Sequence, residues 1–82
     1  MSPLHIDLLL ALHAAKPNGF LADSLLADMR RVRHRALTLP QLESALRALA
    51  DKRLVAPMEG ILSDRWRITA LGSSALAEEG IA

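Results

Sequence analysis

The chain has 82 residues with 10 Lys or Arg against 9 Asp or Glu, a formal charge of +1. That length supports one hydrophobic core, and residues 1–82 read as a single domain able to bury about 60% of its extended surface. Seventeen Leu and 14 Ala against only six Val or Ile favour a mainly α fold, and the lack of cysteine excludes disulfides, thiolate metal sites and thiol nucleophiles.

In chain order, Ser2 reads as the cap of a first helix with Pro3 at its first position and Asp7 near its positive end. Leu4, Leu8, Ala11, Leu12 and Ala15 recur at helical spacing, so this helix ends near Ala15. The breaker cluster KPNG at 16–19 follows, with Asn18 or Gly19 suited to a left-handed closing conformation. Leu21, Leu25, Met29 and Val32 outline a second helix, with acids early and arginines late, as the helix dipole favours. Residues 33–36 fit either its last turn or a loop.

The third helix has the sharpest start. Thr38 and Gln41 form a capping box, Pro40 sits harmlessly in the first turn, and Leu37 and Leu42 are placed as a hydrophobic staple. Leu42, Ala45, Leu46 and Leu49 then line one face of a helix expected to end at Asp51 or Lys52. Beyond it the period changes. Leu54, Val55 and Ala56 suit a short strand stopped by Pro57, and residues 58–64 carry turn chemistry. Residues 65–69, RWRIT, alternate strictly, so Trp66 and Ile68 face one way while Arg65, Arg67 and Thr69 face the other. The result is a hairpin with one basic face. Thr69 can cap a last short helix with Leu71, Ala75 and Leu76, ending at Gly80.

The modest net charge conceals an asymmetry. Between residues 30 and 67 nine basic side chains meet four acidic ones, whereas both flanking segments are acidic. This order of elements resembles the winged helix-turn-helix domains of bacterial regulators such as the MarR and PadR families. Residues 42–55, LESALRALADKRLV, look like a recognition helix running into a first wing strand that often ends in "GLV", with Arg53 where glycine usually stands. Residues 66–76, WRITALGSSAL, look like a second wing strand entering an "LTxxG" helix start, with Gly72 where helix and hairpin backbones approach closely. The resemblance covers roughly residues 4–79 and implies three helices, a two-stranded wing and a short C-terminal helix.

It also implies a function: the third helix in the major groove of duplex DNA and the wing on the backbone, as in a prokaryotic or phage-type transcriptional regulator. The groove-facing residues would be Gln41, Glu43, Ser44, Arg47 and Ala48. Arg47 would read guanine, Gln41 adenine, and Ser44 a base or a phosphate. Arg65 and Arg67 would contact phosphates, and of Arg30, Arg31, Arg33 and Arg35, which cannot all face one surface, Arg33 and Arg35 would join them. An alternative of the same fold is a protein-interaction or assembly module. Glu43 on the DNA-facing side, Glu59 and Asp64 at the wing tip, and the apolar pair Ile61 and Leu62 favour it. Both permit a homodimer, for which the leucine-rich first helix, broadened by Leu9 and Leu10, is the candidate surface.

Other chemistries find no pattern. His5, His13 and His34 lack metal-ligand spacing, no serine sits in a nucleophile elbow, and the four glycines form no phosphate loop. No catalysis, cofactor or metal is expected. Trp66 and Phe20 read as packing residues. The longest apolar run, residues 8–12, is too short to span a membrane, and the start MSPLH lacks a signal peptide's basic region, so a cytoplasmic location is expected.

Overall fold

The computed structural model describes residues 2–16, 18–58 and 65–80. Helix α1 (Pro3–Ala14) starts as its cap dictates, with Ser2 Oγ accepting the His5 backbone N–H at 3.3 Å. Past its end, Gly19 has φ +73°, and a Cβ there would lie 2.6 Å from both Met58 Sδ and the Trp66 carbonyl oxygen. The turn therefore requires glycine on two counts, a left-handed backbone and close contact with the sheet.

The next two residues depart from the sequence reading. Phe20–Leu21 form a strand, β1, before α2 (Ala22–Val32) begins. Leu21 is thus the N-cap of α2 and 37% exposed, and Val32 at the other end is 58% exposed. Of the four apolar residues at helical spacing only Leu25 and Met29 reach the core, joined by Ala22. The helix stops at Val32, so residues 33–38 are a connection and not its last turn.

Helix α3 (Leu39–Asp51) carries the complete capping box. Thr38 Oγ1 accepts from the Gln41 N–H at 3.4 Å and Gln41 Oε1 accepts from the Thr38 N–H at 3.0 Å. Its far end closes with the Leu54 N–H on the Leu49 carbonyl and the Arg53 N–H on the Ala50 carbonyl. This paired closure needs a left-handed residue between helix and strand, and Arg53 supplies it at φ 62°.

Strands β2 (Val55–Pro57) and β3 (Arg65–Ile68) pair antiparallel, and β1 adds to the other edge of β3, giving the order β1-β3-β2. Phe20 and Pro57 both lie opposite Trp66, so three apolar rings cross the sheet in a row. Trp66 and Phe20 pack against the core, as expected of them. Residues 59–64, with the acidic and apolar side chains read as the wing tip, lie outside the described residues.

Helix α4 (Ala70–Glu78) begins at Thr69, whose Oγ1 accepts from the Gly72 N–H at 3.1 Å and lies 2.6 Å from the Arg53 carbonyl, to which it donates. A Cβ on Gly72 would run into the Leu54 carbonyl, which ties the start of α4 directly to the start of the hairpin. Gly72 and Leu76, one turn apart, face inward, and this puts Leu71 on the outer side at 56% exposure instead of in the core.

One cluster of buried side chains joins these elements, centred on Leu8, Leu9 and Leu12 of α1 and Leu42, Leu46 and Leu49 of α3, all fully buried. Leu9 thus belongs to the core and not to a dimer surface. Three helices in helix-turn-helix-like packing, an antiparallel hairpin and a closing helix make a winged-helix-type fold, with a third strand added to the expected pair.

Two glycine-related positions test this geometry in opposite directions. Gly72→Ala is expected to cost about 1–3 kcal/mol, the range for overfilling a packed site. Arg53→Gly is expected to stabilise by about 0.5–1 kcal/mol, because relief of left-handed strain exceeds glycine's backbone entropy. Urea midpoints at unchanged m-value measure both.

Candidate nucleic-acid interface

Burial of one row of α3 decides which side chains the helix can offer. With Leu42, Ala45, Leu46 and Leu49 inward, Gln41, Ser44 and Arg47 fall on the exposed side and Glu43 and Ala48 on half-buried flanks. The sequence-derived groove residues thus share one helix and one broad face. Gln41 is partly committed, since its side-chain oxygen already serves the Thr38 N–H. Bidentate contact to adenine needs that oxygen as well as the amide N–H, so reading adenine in this way would open the capping box.

Between α3 and the sheet lies a cleft of about 200 Å³, walled by Ala22, Glu43, Arg47, Pro57, Arg65 and Trp66. Arg47 enters from the helix and half-buried Arg65 from β3, where its Nη1 donates to the Asn18 carbonyl at 3.5 Å. Glu43 stands one turn before Arg47 and lines the same cleft. Arg67, paired with Ala56 across the sheet, is exposed and borders a different hollow, with Leu12, Lys16, Gly19 and Ile68. The two wing arginines therefore address separate places.

The arginines in the last turn of α2 and just beyond it divide further. Arg30 Nε donates to the Leu37 carbonyl at 2.8 Å and braces the residue just before the α3 cap. Arg31 meets Asp28 one turn back at 3.5 Å. Arg33 reaches α1, placing Nε 2.7 Å and Nη2 3.1 Å from the two oxygens of Asp7, and His34 Nε2 lies 2.7 Å from the same carboxylate. Arg35 is exposed. Of the two arginines here assigned to phosphate contact, Arg33 is thus engaged by Asp7, while Arg35 points to solvent.

The Asp7 cluster is a fixture the sequence did not reveal. In the sequence Asp7 is only an early acid in α1, and its partners lie 26 and 27 positions away, beyond any local spacing rule. The Arg33 guanidinium, followed by His34, holds the Asp7 carboxyl below the usual carboxylate range against the opposing effect of burial. The same pairing raises the Arg33 pKa above its ordinary value. On α1, burial first and the Lys52 charge second push the His5 imidazole below its usual range.

No known family's model, no curated protein and no solved structure matches this chain. Its assignment to the general winged-helix type rests on the packing of its own helices and hairpin. Among the described residues, no three His, Cys, Asp or Glu side chains group so as to hold a metal ion, and no helix is long and apolar enough to cross a membrane.

The lowered pKa of Asp7 fixes the sign of a pH effect. Above the ordinary carboxylate range the group is ionised in folded and unfolded chains alike, and its bonds contribute in full. As pH falls through the depressed folded value, protonation removes that contribution. Asp7→Asn is expected to lower the urea midpoint at pH 7, and the gap to the parent protein should close as pH drops below about 4. Parallel midpoint curves over that range would remove the cluster from the stability of the fold.

Proposed function

We propose that this chain is a small winged-helix module that binds duplex DNA, of the kind found in bacterial or phage transcription regulators. The observation that carries the reading is the outward face of α3. Ser44 and Arg47 stand on a helix fixed at both ends, and the arginine-bearing strand β3 lies beside it across one cleft. A helix with its side chains is about 10–12 Å across, and the major groove is about 12 Å wide, so α3 can enter it along this face. The excess of basic residues between positions 30 and 67 supplies the sign of charge a phosphate backbone attracts. The chain then works by binding and not by catalysis, and a DNA partner implies an intracellular setting.

A second reading has one observation of its own. Exposed Val32 borders a hollow of about 270 Å³ with Leu10, Ala11 and Met29, an apolar strip between α1 and α2 that is flanked by Asp7 and Asp28 and suits a protein partner or a second copy of the chain.

Anisotropy of a labelled random-sequence duplex at two salt concentrations separates the two. DNA binding predicts a Kd of roughly 10⁻⁴ to 10⁻⁶ M near physiological salt, with affinity falling steeply as salt rises. Flat anisotropy even at low salt would defeat it and leave the apolar strip as the working surface.

A further inference from the structure

We infer that Arg47 and Arg65 grip one and the same backbone phosphate, so that recognition helix and sheet act as a single clamp and not as two separate contacts. The inference rests on the DNA-binding reading and adds to it a stoichiometry and a discriminating residue. A helix filling the major groove directs its outermost line at base edges and its two flanks at the sugar-phosphate walls. The cleft runs along one side of α3, lined by Glu43 of the half-buried flank and by Arg47 at the adjoining edge of the exposed face, so Arg47 takes a phosphate in place of the guanine edge that the sequence resemblance implies. The cleft is walled by α3 on one side and β3 on the other, and both arginines line it.

The cleft's volume of about 200 Å³ exceeds the ~30 Å³ share of one water several-fold, which leaves room for a phosphate group with some of its hydration. Arg65 is held for this purpose from behind. Its Nη1 donates to the Asn18 carbonyl, and β3, pinned between β1 and β2, fixes its backbone. Arg47 comes from the middle of α3, so the two arginines line the cleft from backbone elements that do not need to reorganise.

Glu43 gives the clamp its selectivity. It stands four residues before Arg47, the favourable order for an acid and a base on a helix, and it lines the same cleft. It forms no ion pair within 4.0 Å with either arginine, but its single negative charge stands in the cleft that both line. A phosphate entering the cleft must compete with it, so only a duplex whose other contacts are good overcomes that repulsion. Glu43 is therefore a specificity-determining residue that acts by opposing weak, non-specific binding.

The test is the slope of log K against log salt for the parent protein, Arg47→Gln, Arg65→Gln and the double variant on one random-sequence duplex. Each neutralised phosphate of B-DNA contributes about 0.9 to that slope. A shared phosphate predicts that the double variant loses about 0.9 in total, with each single variant losing less than that. A double-variant loss near 1.8 would assign the arginines to separate phosphates, and no loss would remove both from the interface; either overturns the clamp while leaving DNA binding intact. Salt-independent or absent binding by the parent protein overturns the DNA reading, and the clamp with it. Circular dichroism establishes that each variant is folded. Glu43→Gln, which leaves both arginines in place, supplies an independent check. It should tighten random-duplex binding at fixed salt, and an unchanged or weaker affinity would contradict a phosphate in this cleft.

Discussion

The burial of Leu42, Ala45, Leu46 and Leu49 along one row of α3 constrains everything else the protein can present. Fully burying a leucine is worth about 1.5–3 kcal/mol, so the helix cannot rotate about its axis without losing several such contributions. Rotation being fixed, so is the outward identity of Ser44 and Arg47. Translation is fixed by the ends. The capping box sets the first turn, and the paired closure through left-handed Arg53 sets the last. Beyond that closure the chain enters β2 at once, so the position of the hairpin follows from the position of the helix. Gly72 completes the coupling from the other side, because the start of α4 packs without a side chain against the Leu54 carbonyl.

Charge in this molecule divides by task once the side chains are placed. The arginine-rich segment at the end of α2 and just beyond it looks uniform in sequence, yet Arg30 braces the connection before α3, Arg31 pairs locally with Asp28, and Arg33 joins His34 on Asp7 of α1. The contacts of Arg30, Arg33 and His34 hold the six-residue connection between α2 and α3, which exceeds the usual tight turn of helix-turn-helix proteins. Arg47 and Arg65, by contrast, line a cleft beside the exposed face of α3. The longer connection stiffened by a carboxylate cluster lies on one side of α3, and the exposed face with its cleft on the other.

Local chemistry made much of this legible in the sequence. The α3 cap required only Thr38 and Gln41 at the right spacing, the close approach at Gly72 followed from its motif, and the alternation of residues 65–69 placed Trp66 and Ile68 inward. Strand β1 was not legible, because two residues carry no period and Phe20–Leu21 become a strand only through their pairing with β3. Leu21, Val32 and Leu71 lie at the margins of their helices' apolar faces, and among the described residues no element covers them. The engagement of Arg33 by Asp7 was equally hidden, since it joins residues brought together only by the packing of α1 on the α2–α3 connection. Of the candidate interface, sequence identified the residues of α3; the cleft that Arg47 and Arg65 both line, and the separation of Arg65 from Arg67, required the folded chain.

Amide chemical-shift mapping during titration with a random-sequence duplex tests most directly whether the outward face of α3 is the working surface. Binding through that face predicts shifts concentrated at Ser44, Arg47 and Ala48 and at Arg65 and Trp66 across the cleft, with α1 and α4 little affected. Shifts gathered instead around Leu10, Met29 and Val32, or no shifts at low salt, would contradict it.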